Sequence, residues 1–137
     1  MSFPAVARRG ASVSRSDLTG GADLRLPRAS RLSARKSFLD IYERGQRVSG
    51  SYFVVFAVHG ATPASRLGVT ATRKFGNAVA RNRIKRIVRE LFRLHRGAGA
   101  PIDVVVNVKA AAAEANYERL ESDFAARIVE IRRRVWP

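Results

Sequence analysis

The chain has 137 residues, 46% of them hydrophobic, and a formal net charge of +15 from 26 Lys and Arg against 11 Asp and Glu. That length suits one domain with a modest core, and the lack of cysteine excludes disulfides, thiolate zinc sites and cysteine nucleophiles. The longest apolar run, Tyr52 to Val58, is far short of the roughly 20 residues a membrane-spanning helix needs, and no apolar signal region follows the N-terminal arginines, so the expected location is the cytoplasm. A surface this basic repels itself, and folding alone does not explain it. The partners that would offset it are nucleic acid or an anionic membrane. Arginine dominates: only Lys36, Lys74, Lys85 and Lys109 are lysines. The planar guanidinium fork suits phosphate because it donates two parallel hydrogen bonds.

Residues 1–27 are rich in Ser, Gly, Ala and Arg, have no apolar period and end at Pro27. They read as a flexible basic arm, and residues 28–137 as the domain. The first helix is predicted from Ser33 to Arg44, with Ser33 as cap and Gly45 ending it in a left-handed turn. Phe38 and Tyr42, four apart, share a face of that helix. Ser51 to His59 reads as a strand that is apolar on both sides, so something must pack or bind on each. A turn over residues 60–65 leads to a second strand, Arg66 to Arg73, expected to form a hairpin with the first.

Asn77 can cap the long helix that follows. At 100° per residue Ala80, Ile84, Ile87, Val88, Leu91 and Leu94 fall on one stripe. Asn82, Lys85, Arg86, Arg89, Arg93 and Arg96 take the opposite side, and Arg81 and Arg83 flank the stripe. Gly97, Gly99 and Pro101 end the helix. Ile102 to Lys109 alternates as a strand. A last helix, about Glu114 to Arg134, carries the stripe Tyr117, Leu120, Phe124, Ile128 and Ile131. The order α-β-β-α-β-α, with strand, helix and strand in the middle, gives an α+β class with a small mixed sheet.

Between Arg73 and Glu90 seven cations stand against one carboxylate. Cations near a helix N-terminus oppose the macrodipole at a cost of about 0.3–1 kcal/mol each. An RNA phosphate there reverses the sign, since it meets free backbone N–H groups and several guanidinium groups together. A merely solvated face would alternate charge sign. Phe38, Tyr42 and Phe56 either form a platform for unpaired bases, worth about 1–3 kcal/mol per base, or pack in an ordinary core; periodicity leaves both readings open.

Catalytic patterns are absent from the sequence. His59 and His95 lie on separate elements with no neighbouring carboxylate pattern, so surface roles are expected for both. The carboxylates form no paired acidic set for two metal ions, and there is no phosphate loop. The chain is expected to bind and position a nucleic acid, with no catalytic residue and no metal ligands of its own.

The segment Lys74-Phe75-Gly76-Asn77-Ala78-Val79-Ala80-Arg81-Asn82-Arg83-Ile84-Lys85-Arg86 closely resembles the signature of the bacterial ribonuclease P protein subunit, whose core is the triplet Arg81-Asn82-Arg83. The likeness extends from about Arg31 to Arg134 and includes Lys36-Ser37-Phe38, Gly45 and Leu67-Gly68-Val69. It implies a ribosomal-protein-S5-domain-2-like fold with an unusual left-handed βαβ crossover and three strands before the basic helix. That is one strand more than the residues alone suggest; it would lie around Gly45 to Ser49 or within residues 60–73. The resemblance further implies a large catalytic RNA that removes the 5′ leader of precursor tRNA with Mg²⁺ held mainly by the RNA, and one protein per RNA. Arg73, Lys74, Asn77, Arg81, Asn82, Arg83, Lys85, Arg86 and Arg89 would contact the catalytic RNA, while Phe38, Tyr42 and Phe56 match the aromatic positions of a cleft for the single-stranded leader. The alternative is a ribosomal or ribosome-assembly protein that binds folded RNA. A stand-alone nuclease and a DNA-binding helix-turn-helix are weaker, the latter because no second helix lies at turn distance before the basic one.

Overall fold

The run Ile102–Val108 settles the architecture. Its residues from Ile102 to Val106 are all buried, so it needs a strand on each edge and cover on each face. The structure, a computed structural model, describes residues 26–32, 34–95 and 99–137. In chain order these form α1 (Arg35–Arg44), β1 (Gln46–Ser49), β2 (Phe53–His59), β3 (Arg66–Thr70), α2 (Ala78–His95), β4 (Ile102–Val108) and α3 (Tyr117–Val135), with short 3-10 turns at Arg28–Ser30 and Ala110–Glu114. The sheet order is β1-β2-β4-β3. β1 and β4 both pair antiparallel with β2, and β3 runs parallel to β4.

The expected hairpin between the second and third of these strands does not form, because β4 lies between them. β2 hairpins instead with β1, in the register Gln46↔Ala57 to Ser49↔Val54. β1 is the extra strand that the family likeness implied, within residues 45–49. The parallel pair β3·β4 requires a long connection, and α2 supplies it.

α2 and α3 cover one face of the sheet. Phe53, Val55 and Ala57 of β2 and Val104 and Val106 of β4 pack there with Ile84, Val88 and Phe92 of α2 and Leu120, Phe124, Ile128 and Ile131 of α3. Phe53 and Phe124 meet edge to face at 5.7 Å. α1 lies on the other face, where Ile41, Leu32 and Val105 form a second, smaller core. β2 is thus covered on both sides, as its double apolar pattern required. Leu26, 1% exposed, belongs to the main core and Leu32 to the small one, so the segment between them wraps the edge of β3, where Arg31 bridges to Leu67. The last residues of the expected N-terminal arm are therefore part of the folded body; residues 1–25, the Ser33 cap and the Arg96 and Gly97 expectations lie outside the described residues.

Element boundaries follow their caps. Asn77 Oδ1 accepts the Ala80 N–H at 2.9 Å and starts α2 as expected. α3 begins at Tyr117 rather than Glu114, because Asn116 Oδ1 takes the Arg119 N–H at 2.9 Å and the alanines before it form a 3-10 turn. Gly45 is extended (φ −78°, ψ 158°), not left-handed. Glycine is needed there for space: a Cβ would sit 2.9 Å from the Ala57 carbonyl oxygen and also strike that of Ile41. On α2 the buried stripe runs Ile84, Val88, Leu91, Phe92, while Leu94 is 51% exposed. Ile84, Val88 and Leu91 of the expected stripe face the core, but in the last turns Phe92 takes the buried place expected for Leu94.

One partly buried ion pair locks β3 to β4. Arg66 and Asp103 are register partners; Arg66 Nη2 donates to Asp103 Oδ2 at 2.8 Å and Nε to Oδ1 at 3.1 Å. The same carboxylate accepts the Ala61 N–H at 3.3 Å, fixing the 60–65 turn. Arg66→Met is expected to destabilise the fold by about 2–3 kcal/mol, because it leaves a carboxylate unpaired in the interior. Urea unfolding monitored by circular dichroism checks this.

Candidate nucleic-acid interface

β3 ends at Thr70, and a short turn, closed by the Phe75 N–H on the Thr72 carbonyl at 3.0 Å, delivers the chain to Asn77. Arg73 and Lys74 are exposed on this turn. Arg81 folds back, Nη1 donating to the Gly76 carbonyl at 2.8 Å, and so braces the turn against the first coil of α2. Asn82, Arg83 and Arg86 are exposed along the helix, and Lys85 and Arg89 are partly buried. Among the described residues none of these cations is paired with a carboxylate; the ion pairs lie within α1, between β3 and β4, between His95 and α3, and within α3. Glu90, the carboxylate of this helix, accepts instead from Tyr117 Oη at 3.2 Å. Burial, together with the neighbouring guanidinium groups of Arg31 and Arg86, holds Arg89 below the ordinary arginine range. The structure thus brings Arg73, Lys74, Asn77, Arg81, Asn82, Arg83, Lys85, Arg86 and Arg89 onto one turn and helix whose cations have no carboxylate partner among the described residues. Asn77 does double duty, since its side-chain oxygen is committed to the cap.

The three aromatic residues also come together. Phe38 and Tyr42 of α1 and Phe56 of β2 pack around Val105, each partly buried. Tyr42 and Phe56 meet edge to face at 4.9 Å. Tyr42 Oη donates to Asn107 Oδ1 at 2.7 Å, orienting the ring. Phe38 lies on Gly68, where a Cβ would strike the ring. The cluster is therefore partly core, with each ring still partly exposed. It lies with α1 on one face of the sheet, whereas α2 packs on the other.

Two cations escaped the sequence reading. Arg47 stands on β1 with its guanidinium 5.9 Å from the Phe56 ring centroid. The signal was the alternation Gln46-Arg47-Val48-Ser49, in which only Val48 is buried. Arg31 reaches the α2 cations through its bridge to Leu67, a contact no local pattern announces. The expectation for the histidines needs correction: His95 Nε2 lies 2.9 Å from Glu121 Oε2 of α3, so a carboxylate does face it from across the helix pair. His59 Nε2 donates to the Val135 carbonyl at 2.7 Å and the ring stacks on Trp136. Among the described residues there is no group of three or more His, Asp or Glu close enough to hold a metal ion, and no helix long and apolar enough to cross a membrane.

A mixed four-stranded sheet that presents a cationic helix on one layer and an aromatic cluster on another defines an RNA-binding α+β protein. The family model for Ribonuclease P matches residues 26–132, and the chain belongs to that family. It is similar to the ribonuclease P protein component of Desulfatibacillum aliphaticivorans, at 50% identity over 82 residues, 59% of this chain and 70% of that one. To the component from Desulfovibrio desulfuricans it is 41% identical over 104 residues, 72% of this chain and 79% of that one. Among solved structures, the RNase P protein from Thermotoga maritima superposes with a TM-score of 0.68 at 32% identity, covering 74% of this chain and 96% of that one. The Staphylococcus aureus RNase P protein gives 0.69 at 29% identity, covering 80% and 100%. The chain is accordingly a protein subunit of the ribonucleoprotein endonuclease that matures tRNA 5′ ends, with the RNase P RNA as partner, and the ribosomal-assembly alternative is set aside.

Tyr42→Phe is expected to keep the aromatic cluster but strand Asn107, lowering stability by about 1 kcal/mol in denaturant titration.

Proposed function

We propose that the α2 face grips the catalytic RNA while the aromatic cluster receives the single-stranded 5′ leader of precursor tRNA. The observation that carries this reading is the run of cations from Arg73 to Arg89, none of which is paired with a carboxylate among the described residues. A phosphate at the start of α2 meets the positive end of the helix dipole, the N–H groups of its first turn, and the guanidinium groups of Arg81 and Arg83. A further phosphate beside Arg86 and Arg89 would relieve the repulsion that Arg31 and Arg86 exert on Arg89. On the other layer, Phe38, Tyr42 and Phe56 offer faces and edges to unpaired bases, with Arg47 beside them for the leader backbone.

In this reading the RNA carries the chemistry and the protein supplies grip and charge, one protein per RNA, in the cytoplasm. Mg²⁺ held by the RNA supplies the Lewis-acid chemistry of phosphodiester cleavage. In this reading the chain's contribution is to bind, orient and screen. Protein cations that replace part of the ionic screening lower the Mg²⁺ concentration needed for cleavage.

If about five phosphates are neutralised, log K for the RNA falls with log salt at a slope of roughly −3.5 to −4.5. Arg83→Ala is expected to weaken binding and flatten that slope by about 0.7–0.9; an unchanged slope would remove Arg83 from the interface. A cleavage assay on precursor tRNA tests the division of labour. The protein alone is expected to be inactive, the RNA alone active at high Mg²⁺, and the two together active at lower Mg²⁺. Cleavage by the RNA-free protein, or a Mg²⁺ dependence indifferent to it, would sink the reading.

A further inference from the structure

The chain contains a single tryptophan, Trp136, and it is not in the core. It sits just past α3, 42% exposed, yet with partners on two sides. His59 stacks on one face of the indole, with centroids 4.1 Å apart and planes 18° from parallel. Trp136 Nε1 donates to the Pro101 carbonyl at 3.0 Å. The indole then forms one wall of an open cavity of about 450 Å³ between the end of α2 and the last turns of α3. Ile128 and Val129 give that cavity an apolar floor, Arg132 and Arg133 its cationic rim, and His95 its wall on the α2 side.

Among the described residues Arg133 enters no ion pair with the nearby carboxylates. Glu121 is engaged by His95, and Glu130 lies between Arg127 and Arg134. Arg132 is bound to the Ala100 carbonyl and burial lowers its pKa, while Arg133 is exposed. Arginines in the last turn of a helix do complement its dipole, which accounts for their charge. It does not account for an aromatic wall beside an apolar-floored hollow. An aromatic face, an apolar floor and a guanidinium rim together suit one unpaired nucleotide: base on the indole, phosphate on the arginine.

We propose that this cavity binds an unpaired nucleotide of the catalytic RNA. The assignment rests on the reading of α2 as the RNA-facing helix. That helix has 18 residues, so about 27 Å separates its capped start from His95 at the cavity, a span a large folded RNA bridges. The leader is a poorer occupant, because the aromatic cluster proposed for it lies on the opposite face of the sheet.

The lone tryptophan makes the test direct. Intrinsic emission of the full chain is followed while catalytic RNA, or separately a leader oligonucleotide, is added, with labelled-RNA anisotropy reporting binding in parallel. The catalytic RNA is expected to quench the emission in step with binding, and the leader oligonucleotide to leave it unchanged. Saturating catalytic RNA without any change in emission would overturn the cavity while leaving the α2 face intact; quenching by the leader alone would overturn the choice of occupant. Trp136→Ala is expected to weaken affinity roughly tenfold without altering the salt slope, since stacking releases no counterions. Trp136→Phe, which retains a stacking face on a less disturbed helix end, is expected to recover most of the affinity. Arg133→Ala is expected to flatten the salt slope by about one phosphate. Equal affinity for all three variants would reject the proposal.

Discussion

Everything in this molecule follows from the need to bury β4 on all sides. A strand of Ile102, Val104, Val105 and Val106, with only the paired Asp103 breaking the run, cannot lie at a sheet edge without exposing its backbone and side chains together. Placing β2 and β3 on its two flanks solves this, and the parallel pairing with β3 then demands a connection long enough to travel back along the sheet. That connection is α2. Its apolar row must face the sheet, so its cations have no choice but to face out. The cationic surface is in this sense a by-product of satisfying a hydrophobic strand.

The electrostatics show the same economy. The acidic side chains that could have quenched the α2 face serve the fold instead. Asp103 ties β3 to β4, Asp123 caps the 50–52 turn by accepting the Ser51 and Tyr52 N–H groups at 3.3 and 3.0 Å, and Glu90 and Glu121 join α2 to α3 through Tyr117 and His95. These carboxylates fasten elements to one another, Asp103 together with Arg66, and so leave the α2 cations without acidic partners among the described residues.

The helices, the faces they bury and the cationic face of α2 were legible from periodicity, because each is a local property. The aromatic trio was legible as a set but ambiguous in role, since its position, half inside a small core, depends on α1 crossing above β2. What escaped was nonlocal. β4 displaced the expected hairpin because strand order depends on which strand most needs two neighbours, a comparison no single segment carries. β1 is four residues with one buried side chain, too short for an alternation to stand out. Phe92 replaced Leu94 in the α2 stripe because nearby rows differ by a small rotation, and only packing against β3 and α3 chooses between them. His95 and Glu121 are 26 positions apart, so their pairing awaited the fold.

The wrapping of residues 26–32 around β3 has a further consequence for the free protein. A sheet has two borders along which another chain can add itself strand by strand. Here one border is occupied by the protein's own N-terminal lead-in, bolted down by Leu26 and Leu32 in separate cores. The other is β1, brief and mostly polar, with Arg47 on it. A polypeptide that must circulate before finding its RNA is guarded in this way against polymerising through its backbone, and its strong positive charge adds a repulsive barrier between copies.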